Sequence, residues 1–189
     1  MADIKAIKGT DNVQYNLRDD YSKWGGENLL QGSYRYRSST PYSYTSTAKD
    51  GYAYLTTMIT TEPLVAGQRY TIQCKTNGTW AASHGSQASS NVTLWLVTGN
   101  NVSTNTNHYN FNTSTSGYLG DGKWVWTCPA ASDGLYGHIR INNYNTDGTT
   151  SVTHTYWDFK LEKGDKATDW SPCYKDIFTV SGTELQVNL

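Results

Sequence analysis

Charged residues and long apolar runs are both scarce in this chain, and each shortage excludes a class of protein. Asp, Glu, Lys and Arg make up 16% of the 189 residues, and the formal net charge is −1. Because affinity for nucleic acids depends largely on basic groups that neutralise phosphates, we expect no nucleic-acid partner. No run of about 18 apolar residues occurs, so we predict no membrane span. The first residues lack the apolar stretch of a signal peptide, so we expect no classical secretory route.

Cysteine is also rare, and the motifs of common enzymes and metal sites are absent from the sequence. Cys74, Cys128 and Cys173 form no C-x-x-C pair and have no His at ligand spacing, so we predict no zinc site. Cys74 and Cys128 lie at the ends of apolar, strand-like runs, and we predict that both are reduced core residues. The motifs H-E-x-x-H, G-x-S-x-G and the P-loop do not occur. A glycosidase needs two carboxylates that face one groove. Glu62 and Asp158 are conceivable partners, but nothing in the sequence brings them together, and we predict no enzyme.

Hydroxyl, amide and aromatic side chains dominate what is present. The chain holds 26 Thr, 17 Ser and 15 Asn, and 13% of it is aromatic. Thr, Tyr, Trp and Val suit pleated surfaces, while helical periodicity is nearly absent. Short runs separated by Gly, Asn, Asp and Ser predict an all-β, antiparallel sandwich or barrel. The predicted strands are 52–60, 68–76, 91–99, 122–129, 134–144 and 155–164, with a short one near 108–112.

Alternation along these strands assigns each of them one apolar and one polar face. In the last strand we expect Trp157, Phe159 and Leu161 in the core and Tyr156 and Asp158 on the opposite face. We interpret the polar face as a candidate glycan-binding surface, because a stacking ring beside donors and acceptors suits a hydroxyl-rich ligand. A plain solvated sheet face is the alternative. The candidate residues on this face are Gln73, Trp95, His138, Arg140, Asn142, Tyr156 and Asp158.

Aromatic residues in the polar segments between the predicted strands form a second group of candidates. Exposed rings in loops often mark contacts with other molecules. We expect Trp124 and Trp126, by contrast, on core faces of their strand. The Tyr- and Arg-rich segment 33–44 could equally form a subunit interface, because Tyr and Arg are enriched in such contacts. The loop candidates for glycan binding are Trp80, Tyr109 and Tyr144.

The two ends of the chain differ from its middle. Residues 1–24 and 173–189 each contain two short alternating runs around turn-forming residues, so we predict a hairpin at each end. A lone two-stranded hairpin is marginally stable in water. We therefore predict a single core-sized module at 25–172, an attachment or oligomerisation segment at 1–24, and a hairpin-like extension at 173–189.

Three motifs within the middle region resemble one kind of protein module. Residues 25–30 (GGENLL), 66–71 (AGQRYT) and 159–172 (FKLEKGDKATDWSP) resemble the opening, a strand entry and the closing sequence of jelly-roll modules. Such modules occur in tail, baseplate and fibre proteins of phages and prophages of Gram-positive bacteria, and they are similar to xylanase-associated carbohydrate-binding modules. The resemblance covers about residues 25–172. Residues 2–19 (ADIKAIKGTDNVQYNLRD) also resemble the short leader of many phage fibre proteins.

The resemblance implies a jelly-roll β-sandwich in a non-enzymatic virion protein that binds a cell-surface or cell-wall glycan. Other virion proteins and further copies of the chain are the implied partners, and a homotrimer is expected by analogy with phage fibres. Carbohydrate-binding jelly rolls often hold one structural calcium ion, but no calcium-loop pattern is present and we assign no ligands. The alternatives are a purely structural capsid decoration or head-fibre protein, and a glycan-active enzyme, which we disfavour.

Overall fold

The computed structural model describes residues 7–8, 14–15, 26–181 and 184–187. This part of the chain is nearly all β-structure, which confirms the predicted class. Each of the six long runs predicted as strands contains one, and the short strand expected near 108–112 is present. The strands are β1 (Ile7–Lys8), β2 (Gln14–Tyr15), β3 (Leu30–Gln31), β4 (Tyr42–Ser46), β5 (Asp50–Thr60), β6 (Arg69–Thr76), β7 (Thr79–Trp80), β8 (Asn91–Gly99), β9 (Asn107–Phe111), β10 (Tyr118–Gly120), β11 (Lys123–Thr127), β12 (Tyr136–Tyr144), β13 (Val152–Lys163), β14 (Phe178–Ser181) and β15 (Glu184–Val187).

Two sheets form the sandwich. The five-stranded sheet has the antiparallel order β10-β11-β6-β13-β4. The six-stranded sheet has the order β3-β5-β12-β8, and both β9 and β7 lie along the far edge of β8, where β7 is parallel to it. At the ends, β1 pairs with β2 and β14 pairs with β15, each in antiparallel register. The turn predicted between β1 and β2 lies outside the described residues.

The apolar core lies between the two sheets and follows the predicted alternation. On β6, Tyr70, Ile72 and Cys74 are buried, and the inner faces of β8 and β12 contribute further Leu and Ile side chains. Cys128 is also buried, and it and Cys74 are free thiols, as predicted. Cys173, for which no burial was predicted, is a buried free thiol as well. Burial raises the pKa of each thiol, so the cysteines act as small apolar residues.

Strand β13 contains a bulge that alternation along the sequence does not reveal. Asp158 has the left-handed backbone conformation, with φ at 55°. The register of β13 against β6 shifts between Trp157 and Lys160, so an extra residue of β13 is inserted in the ladder. An inserted residue reverses which side chains of a strand face the core.

The bulge corrects two of the predicted side-chain directions. Tyr156 was expected on the polar face, but its side chain is fully buried in the core. Trp157 was expected in the core, but it pairs with the exposed Lys75 and is only half-buried. Beyond the bulge, Phe159 and Leu161 are fully buried, as predicted. The prediction assumed an unbroken alternation and therefore failed on one side of the inserted residue.

Asn28 joins the opening motif to the closing motif. Its side chain is fully buried, and its Nδ2 donates to the carbonyl oxygens of Phe159 and Ser171 over 3.0 and 2.9 Å. Its Oδ1 accepts from the amides of Leu30 and Leu161. Both ends of the amide group are thus satisfied, which removes the cost of burying it.

The closing segment, residues 164–172, lies over the outer face of the five-stranded sheet and covers a buried ion pair. Lys160 Nζ is 3.2 Å from Glu162 Oε2, and their side chains are 0% and 1% exposed. Thr168 of the closing segment donates its amide to Glu162 Oε1 and accepts from Lys160 Nζ through its hydroxyl, over 2.8 and 2.7 Å. Burial lowers the pKa of Lys160 and the Glu162 carboxylate opposes that shift. We call these three residues the closing cluster.

The packed part of the chain continues past the predicted boundary at residue 172. Cys173 is buried, and a short helix, α1 (Tyr174–Ile177), follows it. The Asp176 carboxylate accepts the amide of Gly32 at 2.8 Å, and Lys175 Nζ donates to the Thr61 carbonyl at 2.8 Å. These contacts attach residues 173–176 to the sandwich. Within the described ranges no helix is long and apolar enough to cross a membrane.

Candidate functional site

The outer face of the six-stranded sheet gathers aromatic and cationic side chains from four adjacent strands. Arg140 of β12 lies opposite Tyr54 of β5 on one side and opposite Trp95 of β8 on the other. Tyr52 comes from the same side of β5, and His108 of β9 contacts the Tyr54 hydroxyl through Nε2 at 3.2 Å. Residues opposite each other in a ladder have side chains within contact distance. We call Tyr52, Tyr54, Trp95, His108 and Arg140 the aromatic face.

Arg140 is the central residue of the aromatic face. Its guanidinium carbon is 4.1 Å from the ring centroid of Tyr52 and 4.7 Å from that of Trp95. Its Nε donates to Asn142 Oδ1 over 3.0 Å, and Asn142 Nδ2 donates to Asp50 Oδ1 over 2.6 Å. The rings attract the cation electrostatically, and the amide fixes its direction.

A polar network continues from Asp50 along the same face. The His84 ring contacts Asp50 Oδ2 at 3.8 Å through Nε2 and the Tyr144 hydroxyl at 2.8 Å through Nδ1. That hydroxyl is 3.2 Å from Thr93 Oγ1, which also accepts from the indole nitrogen of Trp95 at 3.0 Å. The network therefore holds the Trp95 ring in one orientation and leaves donors and acceptors beside it.

Two histidines on this face are uncharged at neutral pH. His138 is fully buried, with Nε2 2.9 Å from Asn105 Oδ1, and burial together with neighbouring His108 lowers its pKa to about 4. Burial and the nearby Arg140 charge also lower the pKa of His108. Both effects disfavour the imidazolium form. Arg140 is therefore a source of positive charge on this face at pH 7.

Four of the seven predicted strand residues lie together on the outer side of the six-stranded sheet. Trp95 and Arg140 are half-buried on its surface, while His138 and Asn142 lie beneath the surface and are fully buried. Trp95 and Arg140 thus belong to the aromatic face itself. His138 and Asn142 support it from below, since Asn142 bonds to Arg140 and the His138 ring is 6.1 Å from the Tyr54 ring.

The remaining three strand residues lie elsewhere, which corrects the expectation of one shared face. Gln73 and Asp158 belong to the five-stranded sheet, and Tyr156 is in the core. Gln73 Nε2 donates to the Thr168 carbonyl at 3.0 Å, so the closing segment occupies it. Alternation shows which residues of a strand share a face, but it does not show which strands share a sheet.

The three loop candidates do not project from loops. Trp80 lies in β7, with its ring edge-on to that of Trp124 at 5.0 Å between centroids. Tyr109 lies in β9, and its ring is 4.9 Å from that of Trp126. Tyr144 ends β12 and is fully buried. Trp80 and Tyr109 are thus half-buried against core rings, and Tyr144 lies beneath the polar network.

A small cleft lies on the opposite side of the sandwich, beside the β13 bulge. It has a volume of about 80 Å³, and its walls include Asp158 and Trp170. The Asp158 carboxylate is 3.0 Å from Arg37 Nε and 3.3 Å from Lys75 Nζ. The Arg37 guanidinium carbon lies 3.3 Å from the centroid of the Trp170 ring. The Asp158 charge is thus already paired with Arg37 and Lys75, and the Arg37 side chain covers the Trp170 ring.

The carboxylates considered for catalysis are engaged in separate ion pairs. Glu62 Oε1 is 2.5 Å from Lys163 Nζ, whereas Asp158 contacts Arg37 and Lys75. In the part of the chain that the structure describes, no three His, Cys, Asp or Glu side chains are grouped as metal ligands. A structural calcium ion therefore remains an expectation from the resemblance, without assigned ligands.

The sequence patterns did not identify Tyr52, Tyr54, His108 or His84 as parts of this face. Tyr52 and Tyr54 lie in a predicted strand, and their Y-A-Y alternation is a signal that points both rings the same way. His108 lies in the short strand expected near 108–112, but its partner strand was not predictable. His84 comes from a polar segment between strands, and no pattern in the sequence indicates that it returns to Tyr144.

Comparisons with protein-family models, with curated proteins and with solved structures find no match to this chain. The motif resemblance of residues 25–172 and the geometry of the aromatic face are therefore the observations that bear on function.

Proposed function

We propose that the protein is a non-enzymatic component of a phage or prophage virion, of the tail, baseplate or fibre type. Its sandwich is a jelly roll whose aromatic face binds a glycan of the host surface. The resemblance of the opening and closing motifs supports the virion assignment. The contacts of Asn28 with Phe159 and Ser171 support treating the two motifs as parts of one module.

One observation carries the glycan-binding proposal: an exposed ring lies beside fixed polar groups on the outer face of the six-stranded sheet. Tyr52 is 51% exposed and lies next to Arg140, at a point where β5 has a neighbouring strand only on its β12 side. A contiguous apolar patch on a surface often marks a binding site, and the Tyr52 ring adjoins that of Tyr54 at 5.7 Å between centroids. Sugar rings present C–H faces for stacking and hydroxyls around them for hydrogen bonding. Tyr52 and Trp95 supply the rings, and Arg140 and Asp50 supply a donor and an acceptor.

We expect Tyr52→Ala and Trp95→Ala each to weaken binding to purified Gram-positive cell-wall polysaccharide. One stacking contact with an aromatic ring is worth roughly 1–3 kcal/mol by analogy with nucleobases, or about tenfold to a hundredfold in affinity. Isothermal titration calorimetry measures the change, and circular dichroism shows whether each variant is folded. Both rings lie on the outer face, so the fold should survive both substitutions.

Tyr34→Ala provides a matched control for these variants. Tyr34 is 44% exposed and also lies near an arginine, Arg35, but it belongs to the 3-10 turn Ser33–Arg35 and not to the aromatic face. The Tyr34→Ala variant should bind polysaccharide as the unmodified protein does. If the folded Tyr52→Ala and Trp95→Ala variants bind as tightly as Tyr34→Ala, the glycan-binding proposal is contradicted.

The purely structural decoration or head-fibre protein is the second candidate, and one observation favours it. The Trp95 ring already contacts Arg140, and the His84 ring is edge-on to it at 5.1 Å. Such packing also serves to stiffen a sheet that binds nothing. In that case no cell-wall polysaccharide would bind, and the variants of the aromatic face would change only stability.

We further propose that the terminal hairpins attach the module to neighbouring virion subunits, including copies of this chain as a trimer. In the described part of the chain, β1–β2 and β14–β15 each form a separate two-stranded sheet. Shortening the protein to residues 26–176 should keep the sandwich folded, because Cys173 and Asp176 are retained, and should abolish oligomerisation. Analytical ultracentrifugation measures the mass. A shortened chain that retains the full-length oligomer would assign assembly to the sandwich itself.

A further inference from the structure

Arg140 is held in one orientation at the centre of the aromatic face. It contacts the rings of Tyr52 and Trp95, with its guanidinium carbon 4.1 and 4.7 Å from their centroids. Its Nε is engaged with Asn142, whose own position is set by a bond to Asp50. Asn142 is fully buried, so this support is rigid. The two terminal nitrogens of Arg140 are thereby fixed in direction before any ligand arrives.

These terminal nitrogens lack a protein acceptor among the residues that the structure describes. The Arg37 and Arg69 side chains show the contrasting case, since each lies 3.0 Å from a carboxylate oxygen, of Asp158 and Asp165 respectively. Asp50 approaches Arg140 only through Asn142. The donors of Arg140 are thus arranged but unused within the described structure.

A guanidinium with two free, fixed nitrogens matches a carboxylate or phosphate group, which it binds through two parallel hydrogen bonds. Building on the proposed glycan-binding function, we infer that the ligand is an anionic glycan. Arg140 binds its carboxylate or phosphate, while Tyr52 and Trp95 pack against the adjoining sugar or polyol carbons. Arg140 is half-buried, so salt screens its attraction for an anion less than it screens an exposed lysine.

The test uses the full-length protein and three defined polymers. Poly(glycerol phosphate) supplies phosphates, polygalacturonate supplies carboxylates, and dextran supplies neutral sugar. Calorimetric titration should show binding to at least one anionic polymer and at least tenfold weaker binding to dextran. Which anionic polymer binds tells phosphate from carboxylate recognition. The net charge of −1 gives no general attraction for polyanions.

Three variants separate the paired hydrogen bonds from simple charge. Arg140→Gln should lower affinity for the anionic polymer by at least tenfold, and Arg140→Lys should restore only part of it, because lysine keeps the charge but not the planar pair of donors. Arg35→Gln is the matched control, since Arg35 also lies near a tyrosine ring, 5.2 Å away. It should bind as the unmodified protein does.

The results also separate this inference from the glycan-binding proposal. The inference is overturned if neither anionic polymer binds, if dextran binds equally well, or if Arg140→Gln binds as the unmodified protein does. If cell-wall polysaccharide binding still depends on Tyr52 and Trp95 in such a case, the ligand is neutral and the glycan-binding proposal stands. If that binding does not depend on the two rings, the glycan-binding proposal fails as well.

Discussion

Replacing Phe159 by Ala should lower the free energy of unfolding by about 3–5 kcal/mol, a large share of the roughly 5–15 kcal/mol typical of a domain. The ring is fully buried, and it packs edge-on to Tyr36 at 6.1 Å between centroids. Phe159 is also the first core residue after the bulge, and its carbonyl accepts from Asn28 and Trp170. A cavity here would therefore lie where the opening and closing motifs meet.

Urea denaturation followed by tryptophan fluorescence measures this loss. Phe159→Leu is the control, because it keeps most of the apolar volume and should cost clearly less. An unchanged denaturation midpoint for Phe159→Ala would show that β13 presents its other face to the core beyond the bulge.

Replacing Glu162 by Ala should cost a similar amount, about 3–5 kcal/mol, because it leaves the Lys160 ammonium buried without its carboxylate. Lys160 is completely inaccessible, and its remaining bonds go to the Thr168 hydroxyl and the Asp169 carbonyl. The Thr168 amide would lose its acceptor in the same variant. The closing segment should then detach from the sheet more readily than the rest of the sandwich opens.

A double variant and an exposed pair test this explanation. Lys160→Met with Glu162→Leu removes both charges and should recover much of the lost stability, since an apolar pair of similar volume replaces a buried ion pair without great cost. Glu62→Ala breaks the Glu62–Lys163 pair, whose side chains are 45% and 51% exposed, and should cost less than about 1 kcal/mol. Equal costs for Glu162→Ala and Glu62→Ala would contradict a special role for the closing cluster.

The fold was predictable where local alternation is unbroken. Tyr70, Ile72 and Cys74 on β6 are core residues as expected, because nothing interrupts that strand. The prediction failed at Tyr156 and Trp157, because the bulge at the left-handed Asp158 reverses which side chains of β13 face the core. The residues around Asp158 in the sequence do not indicate this bulge. Asp tolerates the left-handed conformation better than most residues, but Asp is common enough in proteins that an Asp in the sequence does not predict a bulge.

The candidate site was predictable only in part, because it depends on which strands become neighbours. Trp95, Arg140 and Asn142 meet because β8 lies beside β12. Gln73 has the same local pattern, yet it lies on the other sheet, since β6 pairs with β11 and β13. His84 could not be foreseen, because its place is set by contacts of a loop and not by strand periodicity.

An NMR titration of the isotope-labelled protein with cell-wall polysaccharide fragments shows whether a glycan binds the aromatic face. Trp95, Trp124 and Trp170 lie on the aromatic face, in the core and beside the cleft, so their indole N–H signals report on three separate places. We predict that the Trp95 signal shifts together with the backbone amides around Tyr52 and Arg140. Trp124, which is buried in the core, should not respond. Shifts confined to Trp170 and the cleft beside Asp158, or no shifts at saturating polysaccharide, would contradict glycan binding at the aromatic face.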